Sequence, residues 1–198
     1  GNIDPQLLEL GRNGADPLAG KYFVIKAGVT TAYDDLASAH AAAVNGDTIV
    51  FPSGLNGVVN KGTAGTDNPQ TGTPGDDIIF ASAGNDSNIS GGDGIDTLVI
   101  GPVNTTGASV NLATGVMFGG SETGVDTLIS GIENVAGGSG LDMLTGNGNA
   151  NVFFASAGGD FIDGGNGNDT FDATGLQNGV TIDLGAGTAI GSDIGATT

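Results

Sequence analysis

Residues 137–172 consist of four consecutive nine-residue segments: GGSGLDMLT (137–145), GNGNANVFF (146–154), ASAGGDFID (155–163) and GGNGNDTFD (164–172). The sixth place of each segment holds an acid or its amide, namely Asp142, Asn151, Asp160 and Asp169. The eighth place is apolar, namely Leu144, Phe153, Ile162 and Phe171. A flexible Gly/Asp linker would not keep both places in phase. The strict period therefore indicates a parallel β-solenoid in which each segment forms a turn and a short strand.

A second, less regular block of nonapeptides covers residues 62–99. Its segments are GTAGTDNPQ (62–70), GTPGDDIIF (72–80), ASAGNDSNI (81–89) and GGDGIDTLV (91–99), with Asp67, Asp77, Asp86 and Asp96 at the sixth places. We expect two nonapeptides to complete one coil, so that the acids form one column along each edge. Successive coils then lie about 4.7–4.9 Å apart, the spacing of β-strands. The eighth-place residues should point inward as a thin core: Ile79, Leu98, Leu144, Phe153, Ile162 and Phe171.

The charge of the chain is negative and unevenly distributed. Of 198 residues, 22 are acidic and 4 are Lys or Arg, which gives a formal net charge of −18. Residues 1–61 hold all four cations and six acids, whereas residues 62–198 hold sixteen acids and no cation. Nucleic acid and anionic membrane are poor partners for such a surface, and a divalent cation is its natural counter-charge. No stretch approaches 18 consecutive apolar residues, so we expect no membrane insertion.

The overall pattern predicts an all-β fold, a right-handed parallel β-roll or β-helix solenoid with a small α/β cap at the N-terminus. We expect the cap at residues 1–61 and the β-roll repeats at residues 62–198, divided into blocks 62–99 and 137–172, a connector 100–136 and a truncated second connector 173–198. Within the cap, helices are predicted at residues 4–11 and 32–45, the second followed by Gly46, and strands at residues 21–26 and 47–51. A helix in the cap would cover the exposed end of the solenoid.

A longer period connects the two blocks. The sequence IFASAGND (79–86) recurs as FFASAGGD 74 residues later, and VNLATG (110–115) recurs as IDLGAG 72 residues later. GVDTLISGIENV (124–135) leads back into the repeats. We expect the connector to continue the solenoid with an excursion near residues 102–109. The second copy stops before a segment equivalent to residues 124–135, so we expect the chain to be a fragment of a longer protein.

The nonapeptides resemble the G-G-x-G-x-D-x-U-x consensus of the RTX family, the repeats-in-toxin or haemolysin-type calcium-binding repeats. The resemblance implies several bound calcium ions and a structural module that is not an enzyme. It also implies type I secretion to the medium or cell surface of a Gram-negative bacterium, with folding on extracellular calcium. Two alternatives stay open, an accessory module of a secreted protease or polysaccharide epimerase and a segment of an adhesin. Neighbouring domains of the same chain would then be its partners.

The resemblance also implies the calcium ligands. In the family, the lower of two stacked turns supplies the first- and third-place carbonyls and its sixth-place carboxylate, and the upper turn supplies the second- and fourth-place carbonyls and its own carboxylate. The implied sites combine Gly137, Ser139 and Asp142 with Ser156, Gly158 and Asp160; Gly146, Gly148 and Asn151 with Gly165, Gly167 and Asp169; Gly72, Pro74 and Asp77 with Gly92, Gly94 and Asp96; and Gly62, Ala64 and Asp67 with Ser82, Gly84 and Asp86. Asn151 keeps an oxygen but lacks a charge, so we expect a weaker site there.

Other chemistries find little support in the sequence. The chain has no cysteine and a single histidine, His40, which excludes a thiolate metal site and a zinc site built from several histidines. We expect His40 to be a helix-surface or packed histidine rather than a ligand. We expect Asp34 and Asp35 in the first turn of that helix, where acids are favoured by the helix dipole. Carboxylate pairs are abundant in the repeats, but as ligands they do not indicate a glycosidase.

Overall fold

The computed structural model describes residues 20–62, 70–101, 105–119, 123–127, 129–176, 180–183, 188–191 and 195–197. Within these residues the chain is mostly β with one helix, and stacked parallel strands form a solenoid of about five turns. This confirms the predicted β-roll. The predicted helix at residues 4–11 and two predicted ligands, Ala64 and Asp67, lie outside the described residues. None of the described helical structure is long and apolar enough to span a membrane.

The N-terminal cap forms one end of the larger sheet. Its elements are β1 (Tyr22–Lys26), β2 (Val29–Tyr33), α1 (Leu36–Ala42), β3 (Thr48–Val50) and β4 (Asn56–Lys61). β1 pairs antiparallel with both β2 and β3, and β3 pairs antiparallel with β4. The strands predicted at residues 21–26 and 47–51 are confirmed as β1 and β3.

The helix predicted at residues 32–45 is shorter than expected at both ends. Its first two residues belong to β2, because pairing with β1 keeps Tyr33 extended. Asp35 is the N-cap rather than a first-turn residue, and its Oδ1 accepts the N–H of Ser38 at 2.7 Å. At the other end Ala43 is already extended, so Gly46 does not follow the helix directly. Lys61 Nζ donates to the Ala43 carbonyl at 2.6 Å, which satisfies a backbone acceptor near this terminus.

The solenoid strands are two to four residues long and alternate between two facing sheets. They are β5 (Gln70–Thr71), β6 (Asp77–Phe80), β7 (Ile89–Ser90), β8 (Thr97–Val99), β9 (Ser109–Asn111), β10 (Val116–Phe118), β11 (Val125–Thr127), β12 (Asn134–Ala136), β13 (Met143–Thr145), β14 (Val152–Phe154), β15 (Phe161–Asp163) and β16 (Thr170–Asp172). The first sheet has the order β16-β14-β12-β8-β6-β4-β3-β1-β2, and its strands from β4 to β16 are all parallel. The second sheet has β5 beside β7 and, further along, the order β11-β10-β9-β13-β15.

The connector contributes three strands to the second sheet and one strand, β12, to the first. β9, β10 and β11 form an antiparallel meander, and β9 pairs in parallel with β13. The chain then passes along β7, where Ser90 and Ser130 form a parallel bridge. The turn after β9 forms because Asn111 Oδ1 accepts the backbone N–H three residues further on at 2.9 Å, and Gly115 has φ +66°. The excursion expected near residues 102–109 therefore extends through β11.

The core between the two sheets contains the eighth-place residues. Ile79, Leu98, Leu144 and Phe153 are buried in one cluster, with Ile162 packed against it. These five confirm the inward-facing stripe that the period predicts. Phe171 is only half-buried, and it lies on β16, the last strand in the order of the first sheet. The narrowness of this core follows from the short strands, each of which contributes one inward side chain.

A second apolar cluster joins the cap to the outer face of the first sheet. It contains cap residues such as Ala39 and Phe51 and outward-facing solenoid residues such as Phe80, Val99 and Phe154. His40 packs against the Phe80 ring with centroids 4.3 Å apart, as expected for a packed histidine. The cap therefore lies along the flank of the solenoid as well as at its end. On the second sheet the outward row is exposed instead and carries Val125, Phe118, Met143 and Phe161.

The final described strands form a separate antiparallel sheet: β17 (Val180–Asp183), β18 (Thr188–Gly191) and β19 (Gly195–Thr197). β17 and β18 contain the second copy of the connector sequence, and they pair antiparallel as β9 and β10 do. The longer sequence period thus corresponds to a repeated hairpin.

Neighbouring residues on β13 allow a test of the core. Leu144→Ala should lower the free energy of unfolding by about 2–5 kcal/mol, because Leu144 is 1% exposed and its removal leaves a cavity. Met143→Ala should change it by about 0.5 kcal/mol or less, because Met143 is 55% exposed. Urea unfolding in saturating calcium, followed by circular dichroism, measures both. Equal losses for the two variants would contradict the inward assignment of the eighth place.

Candidate metal centre

The sixth-place residues of successive coils are joined through the backbone. The backbone N–H of a sixth-place residue donates to the side-chain carboxylate of the sixth-place acid in the next coil along the chain. The pairs, donor first, are Asp77 and Asp96 at 2.8 Å, Asp142 and Asp160 at 3.0 Å, and Asn151 and Asp169 at 2.9 Å. The acids of one edge are therefore stacked in a column, as the period predicts.

The second oxygen of a sixth-place carboxylate is commonly held by its own turn. The N–H of Gly138 donates to Asp142 Oδ2 at 2.7 Å, and Ser156 Oγ donates to Asp160 Oδ2 at 2.7 Å. In each case the donor lies four residues before the acid, at the second place of the nonapeptide. A short Asp side chain can reach back over this distance and close the turn.

Five of the sixth-place carboxylates are buried, whereas that of Asp169 is exposed. Asp77, Asp86, Asp96, Asp142 and Asp160 each have 1% or less of their surface exposed. Burial raises the pKa of Asp96 and of Asp142 to about 6 and raises that of Asp160, and neighbouring acids add to the first two. Backbone hydrogen bonds oppose these shifts but do not cancel them. Residues 62–198 contain no Lys, Arg or His that could neutralise the column.

Among the described sixth-place carboxylates, two buried oxygens have no hydrogen-bond partner, Asp77 Oδ1 and Asp96 Oδ2. Leaving a buried acceptor unsatisfied costs about 1–3 kcal/mol, and more when it is charged. Among the described residues no three acidic or histidine side chains form a cluster that could bind a metal by themselves. A metal here must therefore take carboxylate oxygens together with backbone carbonyls, and calcium accepts this mixture of hard oxygen ligands. The donor set fits calcium.

Glycine brings the backbones of successive turns close together. Gly94, at the fourth place, has φ +125°, and a Cβ there would lie 2.7 Å from the carbonyl carbon of Gly75 in the coil below. Gly158, at φ +117°, lies in the same way against Gly140. Positive φ and this close approach both require glycine. The turn carbonyls at these places are thus left uncovered by side chains.

The structure places three of the four implied ligand sets in adjacent turns. The set of Asp142 and Asp160, the set of Asn151 and Asp169, and the set of Asp77 and Asp96 are each stacked one coil apart. In the fourth set, Asp86 is buried in its turn and Ser82 Oγ donates to its Oδ2 at 3.1 Å. The other half of that set includes the undescribed Ala64 and Asp67.

Asn151 behaves differently from the acids. Its Oδ1 accepts the N–H of Asn147 at 2.9 Å, as an acid would within its own turn. Its Nδ2 donates to the backbone carbonyl of Glu133 at 2.8 Å in the coil below. A carboxylate has no proton for that bond, so the amide makes a direct link between coils that an acid at this position could not make.

Two further acids stack on the repeats but were not among the ligands expected from the sequence, Asp126 and Glu133. The N–H of Asp86 donates to Asp126 Oδ1 at 2.8 Å, and the N–H of Asp96 donates to Glu133 Oε2 at 3.0 Å. A local signal was present. GVDTLI (124–129) matches GIDTLV (94–99), and GIENVA (131–136) has the same spacing of glycine, acid and apolar residue.

Comparison with known families agrees with this geometry. A model of the RTX calcium-binding nonapeptide repeat matches in four copies, over residues 71–98, 129–162 and 145–175. The chain carries RTX calcium-binding nonapeptide repeats. No curated protein matches the chain. The RTX repeats coincide with the coils that contain the stacked acids, so the buried columns are those of a calcium-binding module.

The raised carboxyl pKa values give the RTX repeats an unusual pH dependence when calcium is absent. A carboxyl whose pKa rises from 3.8 unfolded to about 6 folded, as in Asp96 and Asp142, stabilises the fold below the unfolded value. That stability is lost as the pH rises through about 6. In EDTA, acidification from about pH 7.5 to about pH 5 should therefore favour folding.

One histidine opposes this trend. The pKa of His40 is lowered to about 4 by burial and by Lys61, so its contribution falls as the pH drops below 6.5. Circular dichroism in EDTA at several pH values, with His40→Asn as a control lacking the opposing group, measures the balance. Strand signal that does not increase on acidification in either protein would contradict the assignment. In the presence of calcium, acidification should instead destabilise the fold, because protons compete with the ion for the ligand oxygens.

Asn151→Asp should restore a charged ligand to its column. Without calcium the variant should be less stable, because a carboxylate joins Glu133 and Asp169 and can no longer donate to the Glu133 carbonyl. With calcium the midpoint of the folding transition should move to a lower concentration. Asn149→Asp adds the same charge at an exposed place in the same turn and is the matched control. Equal behaviour of both variants in a calcium titration would show that Asn151 is not at a metal position.

Proposed function

We propose that this chain is a calcium-conditional structural module of a larger secreted or cell-surface protein, with no catalytic role of its own. The supporting observation is the column of buried sixth-place carboxylates, which have no basic partner in residues 62–198. Several calcium ions would neutralise it, each between two stacked turns. The RTX repeats of the chain support calcium as the ion.

The proposed ligand sets are those of adjacent turns. In each, the two sixth-place side chains and the carbonyls of the glycine-rich turns would hold one ion. The sets with two described carboxylates, Asp142 with Asp160 and Asp77 with Asp96, should bind more tightly than the set of Asn151 and Asp169. The reason is electrostatic, since ligand charge raises calcium affinity.

The energetics favour a module that folds only when calcium binds over one that is stable without calcium. Two carboxylates about 4 Å apart repel by about 4 kcal/mol at an effective dielectric constant of 20. The thin core contributes only about 1.5–3 kcal/mol per buried side chain, against a chain entropy of about 1–2 kcal/mol per residue. Each ion bound only by the folded state adds about 2.7 kcal/mol at a hundred times its Kd. Calcium therefore decides whether the repeats fold.

This switch suits export of an unfolded chain. Residues 62–198 contain sixteen acids and no cation. At low cytosolic calcium, repulsion between these acids would keep the segment unfolded. Extracellular calcium, near the Kd of about 10⁻⁴–10⁻³ M of extracellular modules, would then fold them. The folded module would hold neighbouring domains of the same chain in place.

A calcium titration of the 198-residue chain tests the proposal. In EDTA at neutral pH the far-UV circular dichroism should show mostly coil, and millimolar calcium should add strand signal and a cooperative thermal transition. Magnesium at the same concentration is the control, because it requires smaller octahedral sites and should not substitute. An unchanged spectrum and melting temperature in EDTA would overturn the proposal.

A further inference from the structure

Two acids of the connector occupy the place of sixth-place residues. Asp126 accepts the N–H of Asp86 at 2.8 Å, and Glu133 accepts the N–H of Asp96 at 3.0 Å. Between true nonapeptides the same bond runs from Asp77 to Asp96 at 2.8 Å. The connector acids therefore continue the stacking of the repeats beyond the first block.

The backbone around these acids is also that of a repeat. The N–H of Thr127 donates to the carbonyl of Asp86 at 2.9 Å, just as the N–H of Phe161 donates to the carbonyl of Asp142 at 2.8 Å in the second block. In both cases the donor directly follows the upper sixth-place acid. The connector is thus in register with the coil below it.

The turn before Asp126 has the glycine geometry of the metal-binding turns. Gly124 has φ +71°, and its Cα lies so close to the Gly84 carbonyl that no Cβ would fit. Gly94 takes the same place above Gly75 in the first block. Carbonyls of both turns are therefore uncovered next to the Asp86 and Asp126 carboxylates.

A second observation indicates a cation at these positions. Asp126 is 0% exposed, and its Oδ2 has no hydrogen-bond partner. Oδ2 of Asp96, below Glu133, is also buried without a partner. A buried carboxylate oxygen in this state requires either a proton or a cation.

We propose that Asp126 and Glu133 are calcium ligands, paired with Asp86 and Asp96, at sites where the connector replaces a nonapeptide. The inference rests on the proposed calcium-conditional function and adds residues to it. The family match ends at residue 98 and resumes at residue 129, so Asp126 lies outside it. The column of Asp77 and Asp96 then continues through Glu133 to Asn151. Ions bound to the first block would therefore favour folding of the second.

Ion counting on three variants tests the assignment. Asp126→Asn and Glu133→Gln remove a charge but keep the oxygen that accepts the N–H from the coil below. Asp93→Asn removes the same charge from an exposed side chain of the first block and is the control. Equilibrium dialysis with radioactive calcium gives the number of ions, and circular dichroism gives the calcium midpoint and the steepness of folding.

The expected result is one bound ion fewer and a shallower transition for Asp126→Asn and for Glu133→Gln, with Asp93→Asn like the wild type. Wild-type ion number and midpoint in Asp126→Asn and Glu133→Gln would overturn the inference while leaving the proposed function standing. A wild-type chain that binds no calcium would overturn both. If Asp126→Asn does not fold at any calcium concentration, Asp126→Glu distinguishes a ligand role from a packing role. Recovery of folding and ion number with the restored carboxylate supports the ligand role, and failure to recover indicates a packing role.

Discussion

The stacking of one sixth-place residue upon the next determines much of this structure. The backbone N–H of Asp77 needs an acceptor once it is buried, and the carboxylate of Asp96 supplies it at 2.8 Å. That hydrogen bond helps to set the spacing of the coils, and it also fixes the charges one coil apart. The negative charge therefore cannot move out to solvent without breaking the ladder of backbone contacts. Residues 62–198 contribute no cation, so no basic side chain of the repeats can neutralise this charge.

The N-terminal cap is stabilised differently. It contains three of the four cations within the described residues, and these satisfy local needs: Lys21 and Lys26 form ion pairs with Asp34 and Asp47, and Lys61 binds carbonyls near the end of the helix. Its aromatic cluster, with the Phe51 and Phe154 rings 4.7 Å apart, rests on the outer face of the first sheet. The apolar cluster of the cap thus supports the first sheet of the solenoid from outside.

The sequence was most informative where its period was strict. Nine-residue spacing identified the columns at Asp142, Asp160 and Asp169 and the core positions at Leu144 and Phe153, because one turn and one strand repeat without change. It failed where tertiary pairing decides the outcome. Tyr33 lies in β2 rather than in the predicted helix, because it pairs with Tyr22 of β1. Asp126 and Glu133 were missed because they lie 40 and 37 residues from the acids on which they stack, whereas a single coil takes 18 or 19.

The connector explains why the two columns differ. In the first sheet β8 and β12 are neighbours, so Glu133 follows Asp96 directly and the column continues. In the second sheet β10 and β9 lie between β11 and β13, so the stack of Asp86 and Asp126 ends there. The next acid, Asp142, accepts the N–H of Ala108, which carries no acid. An insertion that adds three strands to one sheet and one to the other can therefore interrupt one edge while the other keeps its spacing. Of the two edges, the proposed coupling of ions between the blocks requires the continuous one.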